Sequence, residues 1–163
     1  MIILPLNSSH DRKSFDCGEP LLNEFLQRYA RQSAAKRISK TAVAVAHETA
    51  TEIFGYHTTL VTTIKIEHLP VKLGKTGIPS YLLARLAVDL NQQGKGIGED
   101  LLYDVFRRAV LIAEQTGLYA VVLDALNDRA KKFYLSYGFQ ELLDDPLHLY
   151  LPVETIIQSL PRN

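Results

Sequence analysis

A chain of 163 residues is close to the size of one domain, long enough to bury a hydrophobic core without disulfides or metals. Apolar residues make up 47% and charged residues 22%, a globular composition that excludes a disordered chain. The formal net charge of +0 gives no overall reason to expect a nucleic-acid partner, so any such site must rest on local clustering.

The lone Cys17 excludes an internal disulfide and fits a reducing compartment. The opening Met1-Ile2-Ile3-Leu4-Pro5-Leu6 lacks the basic region and long apolar core of a signal peptide, and no apolar run approaches bilayer-spanning length. The expectation is one cytoplasmic domain over residues 1–163, without a membrane.

In chain order, Ile2 to Leu6 reads as a first strand and Asn7 to Asp11 as a polar loop. A helix begins after Gly18, because Leu21, Leu22, Phe25, Leu26 and Tyr29 recur on one helical face and Pro20 suits a first turn. Its later half is basic, with Arg28, Arg31, Lys36, Arg37 and Lys40 in one cluster. Thr41 to Ala46 and Ile53 to Ile66, rich in Thr, Val, Ile and Tyr, predict an antiparallel pair. Glu67 to Pro79 is a long loop, a rim for a site. The apolar run Tyr81 to Val88 predicts a strand covered on both faces.

Ile97, Leu101, Leu102, Val105, Phe106, Ala109, Ile112 and Ala113 keep a helical period that Gly117 ends. Tyr119 to Leu123 is a second buried strand, so strand, helix and strand make a βαβ unit. Asp128 to Ser136 predicts a further helix, and Phe139 to Leu143 with Leu147 to Leu151 predict closing strands. The fold class is therefore α/β (α+β), a mixed central sheet of six to seven strands flanked by helices.

Between the first strand and helix of the βαβ unit stands Gln93-Gly94-Lys95-Gly96-Ile97-Gly98. A glycine-rich turn feeding a helix N-terminus presents backbone N–H groups that favour a phosphate. No Gly-Lys-Ser/Thr comes after it, and no third glycine lies three residues after Gly96, so neither the kinase-type loop nor the dinucleotide pattern fits. On spacing alone, a plain glycine-containing turn is equally open.

Leu86-Ala87-Val88-Asp89-Leu90-Asn91-Gln92-Gln93-Gly94-Lys95-Gly96-Ile97-Gly98 resembles the signature Gln/Arg-x-x-Gly-x-Gly/Ala of GNAT N-acetyltransferases. Asp124 to Phe139, with Asn127, Phe133-Tyr134 and Gly138-Phe139, resembles that family's later strand, helix and Phe-Tyr…Gly-Phe element. The resemblance implies the GNAT fold with a splayed central strand and acetyl-CoA as cosubstrate. It also implies that backbone groups of Leu86, Ala87 and Val88 meet the pantetheine arm. Gln93, Gly94, Lys95, Gly96, Ile97 and Gly98 would hold the pyrophosphate, with Asn127 near the cofactor. Beyond these blocks, Phe15-Asp16-Cys17-Gly18, Gly55-Tyr56, Leu69-Pro70, Leu83 to Asp89 and Leu149-Tyr150-Leu151-Pro152 are similar, in that order, to GNAT toxins of bacterial toxin–antitoxin modules. Those enzymes acetylate the amino group of aminoacyl-tRNA and stop translation. Family members commonly carry Gly where Ala84 stands. This narrower resemblance implies an aminoacyl-tRNA substrate, a ribbon-helix-helix antitoxin as partner, and a homodimer.

Aminolysis of a thioester needs a neutral amine, oxyanion stabilisation and a proton for the leaving thiolate. A phenol with an ordinary pKa of about 10 keeps its proton at neutral pH. Tyr134 matches the family's catalytic acid; the open alternative is that it packs inside its helix while Tyr137 is the exposed phenol. A backbone N–H near Leu86 to Val88 is the better oxyanion donor, with Arg85 either a donor, a tRNA contact or an outward-facing strand residue. A dedicated base is dispensable for an α-amine of pKa about 8; Asp89, His57 and His148 are alternatives, each with a competing structural role. Cys17 has no His and Asp spacing for a triad. The single, scattered His residues give no metal-ligand spacing, so no metal is expected. Arg28, Arg31, Lys36, Arg37 and Arg85 are the tRNA-binding candidates. The rival readings are a GNAT acting on a small amine or protein amino group, and a partner or co-repressor of a DNA-binding antitoxin.

Overall fold

Small and branched side chains alternate along the segment beginning at Lys40, and this alternation decides which helix each residue meets. The computed structural model describes residues 1–74 and 76–160. Its seven strands are β1 Ile2–Pro5, β2 Lys40–Val45, β3 Gly55–Ile64, β4 Ile78–Val88, β5 Ala120–Asp124, β6 Gln140–Glu141 and β7 His148–Pro152. They form one sheet in the order β1-β2-β3-β4-β5-β7-β6. β1, β2 and β3 pair antiparallel, β4 pairs parallel with β5 from Ser80↔Ala120 to Leu83↔Leu123, and β7 runs antiparallel to β5 and β6. The helices are α1 Pro20–Glu24, α2 Ala30–Ala35, α3 Ile97–Gln115, α4 Asp128–Leu135 and α5 Val153–Ser159.

The chain divides into two compact units, Met1–Leu60 with Ala84–Val105 and Val61–Leu83 with Phe106–Asn163. In the first, Val43, Val45, Tyr56 and Ala87 pack with Phe15, Phe25, Leu26 and Ala30 from the N-terminal segment and its helices. Ala44, whose side chain points the other way, packs with Ile97 and Leu101 of α3, beside Leu86 and Val88. This is the period-2 alternation of a strand covered on both faces. Leu26 and Leu101 are fully buried, which stabilises by about 1.5–3 kcal/mol each. In the second unit, Ile64, Leu69, Ile78, Val122, Leu142 and Tyr150 form a separate core.

Four elements depart from the sequence reading. The helix expected from Gly18 starts at Pro20 and is interrupted by a π turn at Phe25–Tyr29, where the Ala30 N–H bonds the Phe25 carbonyl. β4 begins at Ile78 instead of Tyr81: Pro79 lacks an N–H but stays in the strand, its carbonyl accepting the Tyr119 N–H at 2.9 Å. The strand expected over Phe139 to Leu143 shrinks to two residues, because the Leu143 N–H turns away to the His68 carbonyl. α5 has no counterpart in the sequence reading; buried Val153 and Ile156, three apart on one face, are its only signal. The seven strands, the parallel β4–β5 pair and the mixed α/β class agree with expectation.

Candidate active site

In the first unit, β4 ends at Val88, a 3₁₀ turn covers Leu90–Gln92, and α3 starts at Ile97. Gly94 and Gly96 lie between them at φ +78° and +82°, a left-handed geometry that a Cβ would strain. A Cβ on either would meet nothing within 4 Å, so the requirement for glycine is conformational and the space above the loop is open. Gly98 stands in the first turn of α3, and Lys95 reaches the Gln92 side chain at 3.2 Å. Glu99 and Asp100 already place negative charge in that turn, so an anion here depends on the loop's N–H groups and Lys95 more than on the helix dipole.

The loop is anchored from behind. Gln93 donates its side-chain amide to the carbonyls of Val88 at 3.0 Å and Cys17 at 3.3 Å. Asp89 accepts from the backbone N–H of Asn91 at 2.9 Å and of Asp16 at 3.1 Å, and Leu90 donates to the Asp16 carbonyl at 2.8 Å. The carboxylate of Asp89 is thus occupied as a brace. Arg85 lies half-buried on β4, its guanidinium carbon 3.6 Å from the centroid of the Phe25 ring. His57 is 1% exposed and bonded through Nε2 to Asp104 at 2.7 Å, while its Nδ1 has no partner among the described residues. Cys17 is buried, and burial pushes its thiol pKa up, away from the thiolate a nucleophile needs.

In the second unit, Asn127 caps α4 by accepting the Ala130 N–H at 2.9 Å. Tyr134 is 8% exposed and packs edge-on against Phe133 and Phe139, with centroids 5.1 and 5.6 Å apart. Burial pushes its phenol pKa well above the ordinary value. Its hydroxyl bonds to no group among the described residues. Tyr137 is half-buried against Phe133. Tyr134 is thus a packed phenol whose hydroxyl has no partner among the described residues, and Tyr137 is half-buried rather than the exposed phenol of the alternative.

The second unit also contains a cluster that the scattered His positions did not reveal. His148 bonds Asp144 through Nδ1 at 2.7 Å and approaches Asp124 through Nε2 at 3.6 Å; His68 lies 3.7 Å from Asp144. Burial lowers the His148 pKa, but the hydrogen bond to Asp144 and the charges of Asp124, Asp144 and Asp145 outweigh it and leave the value raised. Ligand atoms of Asp124, Asp145 and His148 fall within 4.8 Å of one another. A cavity of about 290 Å³ borders this cluster, lined by Thr62, Leu82, Val122, Asp124, Leu142 and His148 among others. The turn at Asp144–Asp145 creates the grouping, and no local motif encodes it.

The basic residues Arg28, Arg31, Lys36, Arg37 and Lys40 are all exposed. Arg28 pairs with Glu24 at 3.7 Å, and Arg37 takes φ +58° where the helix ends. Of these basic residues only Arg28 borders an open groove of about 710 Å³, lined also by Lys13, Asp16, Gly18, Asn23 and Gln27 among others.

The family profile described as acetyltransferase (GNAT) domain matches residues 39–141. A tRNA-acetylating toxin of Mycobacterium tuberculosis is 32% identical over 149 residues, 90% of this chain and 88% of its own length. AtaT, solved in complex with acetyl-methionyl-tRNAfMet, superposes with a TM-score of 0.90 at 27% identity, over 96% of this chain and 97% of its own. A tyrosine-to-phenylalanine mutant of the AtaT toxin, bound to the C-terminus of the antitoxin AtaR and acetyl-CoA, gives 0.84 at 26% identity over 98% of both chains.

Proposed function

Because this chain belongs to the GNAT acetyltransferase family, we propose that it transfers the acetyl group of acetyl-CoA to the α-amino group of an aminoacyl-tRNA. The product cannot accept a peptide bond at that nitrogen, so translation stops until a cognate antitoxin binds the enzyme. Support comes from the match to a tRNA-acetylating toxin over 90% of the chain, together with a buried phenol at Tyr134 whose hydroxyl has no partner among the described residues.

Acetyl-CoA fits the loop of the first unit. Gly94 and Gly96 leave the backbone open, and the N–H groups of the loop with Lys95 suit the pyrophosphate. The backbone of Leu86, Ala87 and Val88 would carry the pantetheine arm, with Asn127 contributing its amide N–H beside the cofactor. Gln93 acts in this reading by bracing the loop through its side chain, leaving its backbone for the phosphate. No metal takes part.

As the new C–N bond forms and the C–S bond breaks, Tyr134 hydrogen-bonds and protonates the departing sulfur, and the proton released by the attacking amine returns to the phenol. Its raised pKa keeps the phenol protonated throughout the neutral range between turnovers. A backbone N–H of the Leu86 to Val88 segment holds the oxyanion. The α-amine of an amino acid esterified at its carboxyl is neutral often enough to attack without a dedicated base. Asp89 is occupied by backbone N–H groups and His57 by Asp104, and neither serves as one.

Arg28, Arg31, Lys36 and Arg37 contact tRNA phosphates, an interaction that needs several exposed cations on one face. The partners are a ribbon-helix-helix antitoxin and a second copy of this chain, in the cytoplasm. The rival reading is acetylation of a small amine or protein amino group. The deciding experiment is transfer of labelled acetyl from acetyl-CoA to a charged-tRNA pool, with uncharged tRNA, free amino acids and protein N-termini alongside. Label confined to charged tRNA supports the toxin reading; label on free amines or protein alone overturns it.

A further inference from the structure

Among the described residues, Arg85 is a half-buried cation without an anion. Its guanidinium stacks 3.6 Å above the Phe25 ring, and among the described residues it has neither an ion pair nor a side-chain hydrogen bond. Its charge nevertheless reaches the Tyr56 phenol, whose pKa it pulls down against the larger effect of burial. A guanidinium carries five N–H donors in a plane, and burying it partly without acceptors costs free energy unless a ligand supplies them.

The platform beneath it is built. Phe25 is 8% exposed and sits in the same core as Ala87, two residues along β4 from Arg85 and on the same face. It opens the π turn at Phe25–Tyr29. One residue inserted into an α-helix rotates the turns before it by about 100° relative to those after it, and such insertions recur at functional sites. Tyr56 fixes the approach to this turn by donating its hydroxyl to the Leu22 carbonyl at 2.7 Å. Stacking on a fixed ring leaves the guanidinium edge free and holds the fork in one plane, the arrangement that suits two oxygens of one anion.

We infer that the Arg85–Phe25 stack is the anion-recognition element for the acceptor, and that its ligand is the phosphodiester of the terminal nucleotide of the charged tRNA. This rests on the tRNA reading of the active site. The ester linkage of an aminoacyl-tRNA removes the amino acid's own carboxylate, so the nearest acceptor anion is the phosphate of the nucleotide carrying that ester. A free amino acid would offer its carboxylate to the same fork, and the two sources are separable.

The test compares wild type, Arg85→Ala, Arg85→Lys and Phe25→Leu on three acceptors: charged tRNA, 3′-aminoacyl adenosine without phosphate, and the same adenosine bearing a 5′-phosphate ester. Acetyl-CoA binding and melting temperature of each variant report the folded state. A charge-assisted pair on phosphate corresponds to about ten- to hundredfold in affinity. The expected result is a KM raised by about that factor for charged tRNA and for the phosphorylated adenosine in Arg85→Ala. Arg85→Lys should lose part of it and Phe25→Leu should behave like Arg85→Lys, with the unphosphorylated adenosine unaffected throughout. Equal loss on all three acceptors, no loss on any, or a wild type that prefers free amino acids and loses them in Arg85→Ala each overturns the phosphodiester assignment. A wild type inactive on charged tRNA overturns both this assignment and the proposed function, whereas activity on tRNA indifferent to Arg85 overturns this assignment alone.

Discussion

Gln93 donates its side-chain amide to the carbonyl of Val88 at 3.0 Å, which ties the glycine loop to the end of the strand that precedes it. A second bond from the same amide reaches Cys17 at 3.3 Å. Gln93 therefore sets the shape of the loop whatever its backbone does for the cofactor. Removing these two hydrogen bonds, one exposed and one partly buried, costs about 1–2 kcal/mol. Gln93→Ala should raise KM for acetyl-CoA by roughly tenfold, while kcat falls much less and the melting temperature drops by roughly 2–8 °C. Calorimetric titration with acetyl-CoA checks it; unchanged affinity would show that the loop holds its shape without the clamp.

Tyr134→Phe removes one oxygen from a packed ring and leaves the contacts with Phe133 and Phe139 in place. Loss of a general acid predicts a fall in kcat of about 10²–10⁴-fold with acetyl-CoA affinity retained. The folded-state phenol pKa lies above its ordinary 10.0, so the neutral form stabilises the fold below about pH 10 and that contribution is lost as pH rises beyond it. Melting temperatures from roughly pH 9 to 11 should fall more steeply in wild type than in Tyr134→Phe. Some slope must remain in the variant, because the buried Tyr56 is shifted in the same direction.

What the chain revealed by itself was local. Gly94 and Gly96 stand in sequence between a strand and a helix, so the loop could be read from spacing, and the helical period from Ile97 found α3 nearly to its ends. The helix expected over Asp128 to Ser136 matches α4 to within a residue, whereas the cap that Asn127 places on the Ala130 N–H lies outside that reading. The π turn at Phe25 escaped because the apolar pattern on either side is ordinary; an inserted residue leaves no composition signal. The contact between Phe25 and Arg85 joins residues sixty positions apart, and the pairing of His57 with Asp104 forty-seven apart. Such contacts depend on strand register and helix placement together, which a single sequence does not give.

His148 should titrate above the ordinary 6.5, because Asp144 accepts its proton at 2.7 Å and Asp124 adds negative charge, more than offsetting its burial. A raised histidine pKa contributes stability below about pH 6.5, and that contribution disappears as pH rises through the folded value. Asp144→Asn should return the His148 pKa towards 6.5 and flatten stability against pH in the window just above it. Imidazole proton shifts tracked by NMR in both proteins measure this directly; a pKa below 6.5 in wild type would show that desolvation wins.

Gly55 is held to glycine by crowding and has no positive φ to explain it. A Cβ there would stand 2.8 Å from the Ala87 carbonyl oxygen, 3.0 Å from a Leu101 methyl and 3.4 Å from Ile97. The leucine can shift, but the carbonyl cannot move without displacing β4 between Arg85 and Asp89. Gly55→Ala should destabilise by about 1–3 kcal/mol, the usual cost of overpacking, or roughly 2–12 °C in melting temperature for a chain of this size. Because the displaced carbonyl lies in the segment assigned to the pantetheine arm, KM for acetyl-CoA should rise as well. Gly117→Ala is the control, since a Cβ there meets nothing within 4 Å. Equal melting temperatures for the two variants would mean that β4 yields to the added methyl, and the strand would then be a poorer scaffold for the acetyl site than its packing indicates.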